Sequence, residues 1–157
     1  MYSLDTSFFM DWQARYYPLD LFVELERSIA QLIDRGECHA VDLVREELDA
    51  VGTPDLRVWT AKHKALFVSL SPEVQREAAA IQSAHPELMD PKGLHDSADA
   101  YVIALAKSAG GIVVSQETSA GEKHRPKQSY YIPDVCRSLG VPCINLLGMM
   151  RREKWAF

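Results

Sequence analysis

The 157-residue sequence predicts an α/β fold, a three-layer sandwich in which helices flank a mainly parallel sheet. Short β-branched segments alternate along the chain with amphipathic helical segments, which is the pattern of parallel-sheet proteins. The length is that of one domain, and no repeat, low-complexity tract or Ser/Gly linker divides it. Apolar residues make up 47% of the chain and charged residues 25%, as in ordinary globular proteins. We therefore expect a single domain over residues 1–157.

In the first half of the chain, four segments have helical spacing and two short apolar segments have the character of strands. The predicted helices cover about 18–36, 42–52, 55–66 and 72–85, and the predicted strands cover 2–5 and 38–41. Ser71 and Pro72 form a typical helix start, because a capping hydroxyl precedes a proline at the first helical position. The segment 68–70 is too short to assign.

In the second half, the β-branched run Ile112–Val114 is the clearest strand of the chain. The predicted helices cover about 97–109, 133–139 and 149–155, a second strand covers 143–145, and loops cover 85–94 and 116–130. Asp96 or Ser97 is expected to cap the first of these helices, and Gly140 is expected to end the second.

Several classes of protein are excluded. The longest strictly apolar run, 101–106, is far shorter than the ~20 residues of a membrane-spanning helix. The first residues have no basic region or apolar core typical of a secretory signal, so we expect a cytoplasmic protein. Cys38, Cys136 and Cys143 contain no CxxC pair, which favours reduced, packed thiols over a zinc site. A disulfide between Cys136 and Cys143 is the alternative.

The net charge of −5 is unevenly distributed. Residues 121–157 carry seven basic and three acidic side chains, whereas residues 1–120 carry ten basic and nineteen acidic ones. An acidic body repels a polyanion unless its carboxylates hold cations or a basic segment contacts phosphates. The alternative interpretation is a basic tail without a binding role.

Two acidic residues directly follow predicted strands. Asp5 ends the first strand, and Glu117 lies just beyond Ile112–Val114. Ligands of open α/β sheets bind beyond the carboxyl ends of the strands, so both side chains reach one rim if these strands are neighbours. The structural alternative for Asp5 is a turn or cap residue before Thr6 and Ser7.

On the helix at 42–52, two adjacent glutamates point in different directions. Its apolar stripe consists of Val41, Val44, Leu48 and Val51. At about 100° per residue, Glu46 lies opposite that stripe, whereas Glu47 lies roughly 80° from its centre and can turn inward. A surface position for Glu47 is the alternative.

Asp99 lies on an apolar helical segment beside Val102, Ile103 and Ala106. An ionised carboxylate in such surroundings needs a partner or a cation. The alternative is a capping pair with Asp96 near the helix N-terminus, where the helix dipole favours acidic side chains.

Carboxylates without neighbouring His or Cys are ligands for a hard divalent cation, Mg²⁺ or Mn²⁺, rather than for zinc. The histidines show no HxxxH or HExxH spacing, and the chain has no GxSxG elbow, no GxxxxGK[ST] loop and no GxGxxG turn. Acyl transfer by a triad, P-loop chemistry and a Rossmann cofactor therefore lack their motifs.

Taken in order along nearly the whole chain, these motifs resemble the PIN domain. The matching segments are 4–7, 47–48, 99–106 and 112–117, and segments 132–136 and 143–147 resemble one uncharacterised PIN-like branch. The PIN family comprises small metal-dependent ribonucleases, including toxins of bacterial toxin–antitoxin pairs. The resemblance implies the same fold as the residue pattern: a parallel sheet flanked by helices, with acids at the strand ends.

The resemblance also implies site residues. The first three acids of the family fall on Asp5, Glu47 and Asp99, and the fourth falls on Glu117. Typical members have an aspartate-rich turn after the last of these strands. This chain departs from that pattern with Gln116-Glu117-Thr118 and a longer basic loop, so Asp134 is a candidate substitute for the fourth acid. The hydroxyl of Thr6 or Ser7 is expected to support the site by hydrogen bonding.

The implied reaction is hydrolysis of RNA, with one or two Mg²⁺ or Mn²⁺ ions on the acids and with 5′-phosphate and 3′-hydroxyl products. Arg125 and Lys127 are candidates for contacts with the substrate backbone, and a solvated loop is the alternative for both. The resemblance adds an antitoxin protein and a second copy of the chain as candidate partners.

Two other functions compete with this interpretation. A PIN-like module without catalysis would bind RNA or protein, although the retained acids disfavour it. A phosphatase of the haloacid-dehalogenase type needs an aspartate at position 7, where this chain has Ser7.

Overall fold

The computed structural model describes residues 1–88, 97–125 and 130–157. Its centre is a five-stranded sheet in the order β3-β2-β1-β4-β5, in which all four strand pairs are parallel. The strands are β1 (Tyr2–Leu4), β2 (Cys38–Val41), β3 (Phe67–Val68), β4 (Ile112–Val114) and β5 (Cys143–Ile144). The α/β architecture with a parallel sheet is confirmed.

Eight α-helices in the described residues flank the sheet. They are α1 (Thr6–Phe9), α2 (Val23–Asp34), α3 (Asp42–Val51), α4 (Pro54–Lys62), α5 (Pro72–Ala84), α6 (Asp99–Ser108), α7 (Ile132–Leu139) and α8 (Leu146–Glu153). A π-helical segment (Met10–Tyr16) continues α1, and short 3₁₀ turns cover Lys64–Leu66, Pro86–Leu88 and Ala120–Glu122. None of the described helices combines the length and apolar character needed to cross a membrane.

Helix α6 is the central helix of the site because it packs against β1, β2 and β4. The Ser3 hydroxyl, buried on β1, donates to the Val102 carbonyl at 2.8 Å and ties strand to helix. The α1 helix and the π-helical segment, which follow β1 in the chain, pack through aromatic side chains. Trp12 meets Trp59 of α4 edge to face, with ring centroids 4.9 Å apart, and this contact ties the segment following β1 to α4.

Several predicted boundaries are wrong for local reasons. Helix α2 begins at Val23 rather than near Pro18, because residues 18–22 form a turn in which the Phe22 N–H bonds to the Pro18 carbonyl. Helix α4 ends at Lys62, where His63 leaves helical geometry. Helix α8 begins at Leu146, because the Asn145 side chain caps it instead of continuing the strand.

The predicted cap of α6 is also corrected. The cap position is held by Ala98, while the Ser97 hydroxyl one residue earlier accepts from the Asp99 N–H at 3.3 Å. Asp96, the other predicted cap, lies outside the described residues, as does part of the predicted loop 85–94. All three cysteines are free thiols, with Cys38 and Cys136 buried.

Candidate functional site

The carboxyl ends of β1 and β4 form the floor of the candidate site. These strands are neighbours, with Leu4 opposite Val114, so Asp5 and the segment after Val114 meet at one edge. The prediction that strand-end residues share this rim is confirmed. The Asp5 N–H extends the ladder by bonding to the Val114 carbonyl at 3.0 Å, which fixes the backbone of the first acid.

The Asp5 carboxylate is buried, with 3% of the residue exposed. Its Oδ2 accepts from the Ser7 N–H at 3.2 Å, from the Ser7 hydroxyl, and from the Ser115 hydroxyl at 3.0 Å. Asp5 is therefore both the N-cap of α1 and a buried acid at the strand end. Burial raises the pKa of its carboxyl, and the hydrogen bonds from Ser7 and Ser115 oppose that rise.

Glu47 turns inward from α3, whereas Glu46 is exposed. Its Oε1 accepts from the Ala98 N–H at 3.0 Å, and its Oε2 accepts from the Thr6 hydroxyl. Because Ala98 has no capping side chain, the Glu47 carboxylate satisfies the N-terminus of α6 from another helix. The predicted stripe is wrong at Val51, which is 62% exposed.

Asp99 stands in the first turn of α6 and faces the other acids. Burial raises the pKa of its carboxyl well above the ordinary value, and the negative charges of Asp5 and Glu117 raise it further. Glu47 adds to this repulsion, and a hydrogen bond with Ser97 opposes it. Ala98 holds the cap position, and Asp99 follows it as the first residue of the helix.

Glu117 is held by the N-terminus of α7, since its Oε2 accepts from the Ile132 N–H at 3.0 Å. Burial raises the pKa of its carboxyl, the Ile132 hydrogen bond opposes the rise, and the charge of Asp5 adds to it. The positive charge of Lys123 also stabilises the ionised form. The structure thus brings Glu117 within electrostatic reach of the first and third acids.

Asp134, the candidate substitute for the fourth acid, is engaged in holding the loop. Its Oδ2 accepts from the Tyr131 N–H at 3.0 Å and from the Ala120 N–H at 2.8 Å. These bonds fasten the turn Ala120–Glu122 to the start of α7. The geometry gives Asp134 a capping role, and its charge also raises the pKa of Glu117. Glu117 is the acid whose charge acts on Asp99.

The described cation that acts on Glu117 is Lys123, which the sequence analysis missed. Its Nζ lies 3.3 Å from the centre of the Tyr131 ring, a cation–π contact that holds the ammonium group beside the acids. Of the two predicted substrate-binding residues, Arg125 is exposed, and Lys127 lies outside the described residues. No local pattern signals Lys123, because Tyr131 is eight residues away along the chain.

Within residues 1–88, 97–125 and 130–157, no three His, Cys, Asp or Glu side chains are already arranged as a metal site. The carboxylates of Glu47 and Glu117 instead accept from helix N–H groups. The donors are nonetheless hard oxygens, and charges that repel one another in a buried site favour a neutralising cation. The donor chemistry fits Mg²⁺ or Mn²⁺.

A family model described as a domain of unknown function (DUF4411) matches residues 2–157. The chain belongs to the DUF4411 family. No curated protein matches it.

In this DUF4411 chain, the prediction that the hydroxyl of Thr6 or Ser7 supports the acids by hydrogen bonding agrees with the structure. Thr6 and Ser7 each bond to a carboxylate, at Glu47 and Asp5 respectively. Ser115 was missed, although it bonds to Asp5 and accepts from the Glu117 N–H at 3.1 Å. Its signal was available, because it immediately follows the strand that pairs with β1.

Proposed function

We propose that this DUF4411 protein is a PIN-like endoribonuclease that hydrolyses RNA phosphodiester bonds with Mg²⁺ or Mn²⁺. One observation carries the proposal: carboxylates from four separate segments lie at the carboxyl edge of one parallel sheet, and their charges repel one another. They are Asp5, Glu47, Asp99 and Glu117. Such a set suits a cation and a phosphate group more readily than it suits a structural role.

The four carboxylates would hold the metal, which when bound supplies an activated water and neutralises charge on the phosphate. Ser7 and Ser115 fix the orientation of Asp5 through hydrogen bonds to its Oδ2. Lys123 offers an ammonium group at the rim for a phosphate oxygen of the substrate. In the reaction, the water oxygen bonds to phosphorus and the bond to the 3′-oxygen breaks. The products carry 5′-phosphate and 3′-hydroxyl ends.

The test is incubation of the purified protein with a 5′-labelled single-stranded RNA, in Mn²⁺, in Mg²⁺ and in EDTA. We expect fragments with 3′-hydroxyl ends in either metal and intact RNA in EDTA. Cleavage that persists in EDTA, or that leaves 2′,3′-cyclic phosphates, would point to metal-free chemistry and contradict the proposal.

A second candidate is a PIN-like module that binds RNA or protein without cleaving it. The absence of a ready-made metal site among the described residues, with Glu47 and Glu117 bonded to helix N–H groups, favours it. This candidate predicts RNA binding that is equal in Mn²⁺ and EDTA, with no fragments in either.

The proposed biological setting is a cytoplasmic toxin with an antitoxin protein as partner. Induced expression in bacteria should then arrest growth with the wild-type chain but not with Asp5→Asn. Equal growth of both strains at equal protein levels would remove the toxin role while leaving the ribonuclease open to the assay above. Light scattering of the purified chain tests the proposed homodimer.

A further inference from the structure

An open cavity lies away from the acid site. It has a volume of about 520 Å³ and is lined by the π-helical segment, the turn before α2, α2 itself and the helix α4. Its polar and aromatic lining consists of Gln13, Asp20, Glu26, Thr53, Asp55, Trp59, Lys62 and His63. None of these residues belongs to the acid site, and the volume is that of a typical small-ligand pocket.

The cavity contains a buried amide with an unused donor. Gln13 is 7% exposed, and its Oε1 accepts from the Thr53 hydroxyl at 2.8 Å. No acceptor for the Gln13 Nε2 exists among the described residues, and the side chain lines the cavity. Since Gln13 lines the cavity, this N–H group is available to an acceptor on a ligand. Gln13 belongs to a π-helical segment, a geometry frequent at functional sites.

One wall of the cavity is aromatic. The rings of Trp59 and His63 stack with centroids 4.1 Å apart and an interplanar angle of 25°. His63 Nδ1 lies 2.9 Å from the Trp59 carbonyl, to which only an Nδ1–H group can donate; in that tautomer Nε2 is an acceptor. Trp59 Nε1 donates to Glu26 at 2.9 Å and fixes a carboxylate at the same wall.

We propose that this cavity binds a nucleobase. A ligand must offer an acceptor to Gln13 and donors to His63 and Glu26, and the edge of a base presents both. A simple cation offers no acceptor to the Gln13 N–H group. A simple anion is disfavoured, because the carboxylates of the lining (Asp20, Glu26 and Asp55) outnumber the ammonium group of Lys62. A planar ring also stacks favourably on the aromatic wall. The inference does not depend on the proposed ribonuclease activity.

The experiment is calorimetric titration of the purified protein with guanosine, adenosine, cytidine and uridine, with ribose as the negative ligand. We expect at least one nucleoside to bind and ribose not to bind. His63→Ala removes the stacking wall and should weaken that binding by about tenfold or more. Gln13→Met removes the amide at similar size and should weaken it as well.

Lys64→Ala is the matched control, because Lys64 is exposed and lies just outside the cavity. Circular dichroism and melting temperature establish that each variant is folded. Absence of binding by all four nucleosides at millimolar concentration would overturn the proposal. Binding that is unchanged in both folded cavity variants would overturn it equally.

A second titration distinguishes a base within RNA from a base in a free nucleoside. A single-stranded RNA hexamer is titrated into the Asp5→Asn protein, with and without His63→Ala, in EDTA. Weaker hexamer binding after His63→Ala identifies an RNA base as the occupant, whereas an effect confined to free nucleosides identifies a small-molecule site. Because this arm measures binding without cleavage, its outcome is distinct from failure of the ribonuclease proposal.

Discussion

Two adjacent glutamates of α3 differ in the surroundings of their carboxylates. Glu47 accepts from Ala98 and Thr6, whereas Glu46 is exposed. In Glu47→Gln, the amide oxygen still accepts from the Ala98 N–H and the amide nitrogen can donate to the Thr6 hydroxyl, so the charge is the main loss. We expect RNA cleavage to fall by on the order of 10²-fold or more.

Glu46→Gln is the control for the same helix, the same side chain and the same change of charge. We expect near wild-type cleavage and a change in stability within about 0.5 kcal/mol. Equal losses of activity in the two variants would contradict the assignment of Glu47 to the site.

Lys123 is held beside the acids by its contact with the Tyr131 ring. If its ammonium group contacts a phosphate, Lys123→Met should weaken binding of single-stranded RNA several-fold. It should also reduce the slope of log K against log salt by about 0.7. Fluorescence anisotropy in EDTA measures this binding without cleavage. Lys154→Met, at the exposed end of α8, should bind like wild type, and an unchanged affinity in Lys123→Met would exclude the phosphate contact.

At the scale of elements, the loop after β4 depends on Asp134, which accepts from Ala120 and Tyr131. Asp134→Ala leaves both N–H groups without this acceptor and should cost about 1–2 kcal/mol in urea unfolding. Asp134→Asn keeps an acceptor oxygen and should retain cleavage, because Glu117 supplies the charge. Asp49→Ala, at an exposed carboxylate, should change stability by less than about 0.5 kcal/mol. Loss of cleavage in a stable Asp134→Asn protein would instead make Asp134 the fourth acid.

Elements with strong local signals were predictable from the sequence. Ser71 caps α5 as expected, its hydroxyl accepting from the Val74 N–H at 3.2 Å. The β-branched strand β4 also matches its predicted bounds. In contrast, α1 and the π-helical segment were missed, because four helical residues have too little periodicity and a π-helix has no sequence signature. Their position depends on aromatic packing against α4.

The site as a whole was predictable in its acids but not in their hydrogen bonds. The rule for strand ends located Asp5 and Glu117, and helical phase located Glu47. The strand-end rule also covers Ser115, since it directly follows the strand that pairs with β1. The role of Lys123 depends on its contact with Tyr131, which no local pattern specifies.

The acids of the site whose pKa values are raised make the stability of the whole molecule depend on pH. The raised pKa values of Asp5, Asp99 and Glu117 mean that the folded state binds protons more tightly than the unfolded chain. This difference in proton binding does not change the free energy of unfolding below the pKa values of the same carboxyls in the unfolded chain, which are about 4. As pH rises through the pKa values of the folded state, the free energy of unfolding falls. Above those pKa values, the full loss of stability remains.

Asp99→Asn removes one of the repelling charges. In EDTA, we expect the wild-type melting temperature to fall more steeply with rising pH than that of Asp99→Asn, by on the order of 2–4 °C per kcal/mol of repulsion. Millimolar Mn²⁺ should raise the wild-type melting temperature by neutralising the acids. Parallel pH profiles of the two proteins, with no response to Mn²⁺, would show that the acids do not repel one another in solution.

We propose that Asp5 and its neighbouring acids perform metal-dependent hydrolysis of RNA. This proposal is tested by the rate of Mn²⁺-dependent cleavage of a labelled single-stranded RNA by wild type and by Asp5→Asn, both shown to be folded by circular dichroism. We expect cleavage by wild type that EDTA abolishes, and no cleavage by Asp5→Asn. Cleavage at the wild-type rate by the folded Asp5→Asn protein would contradict it.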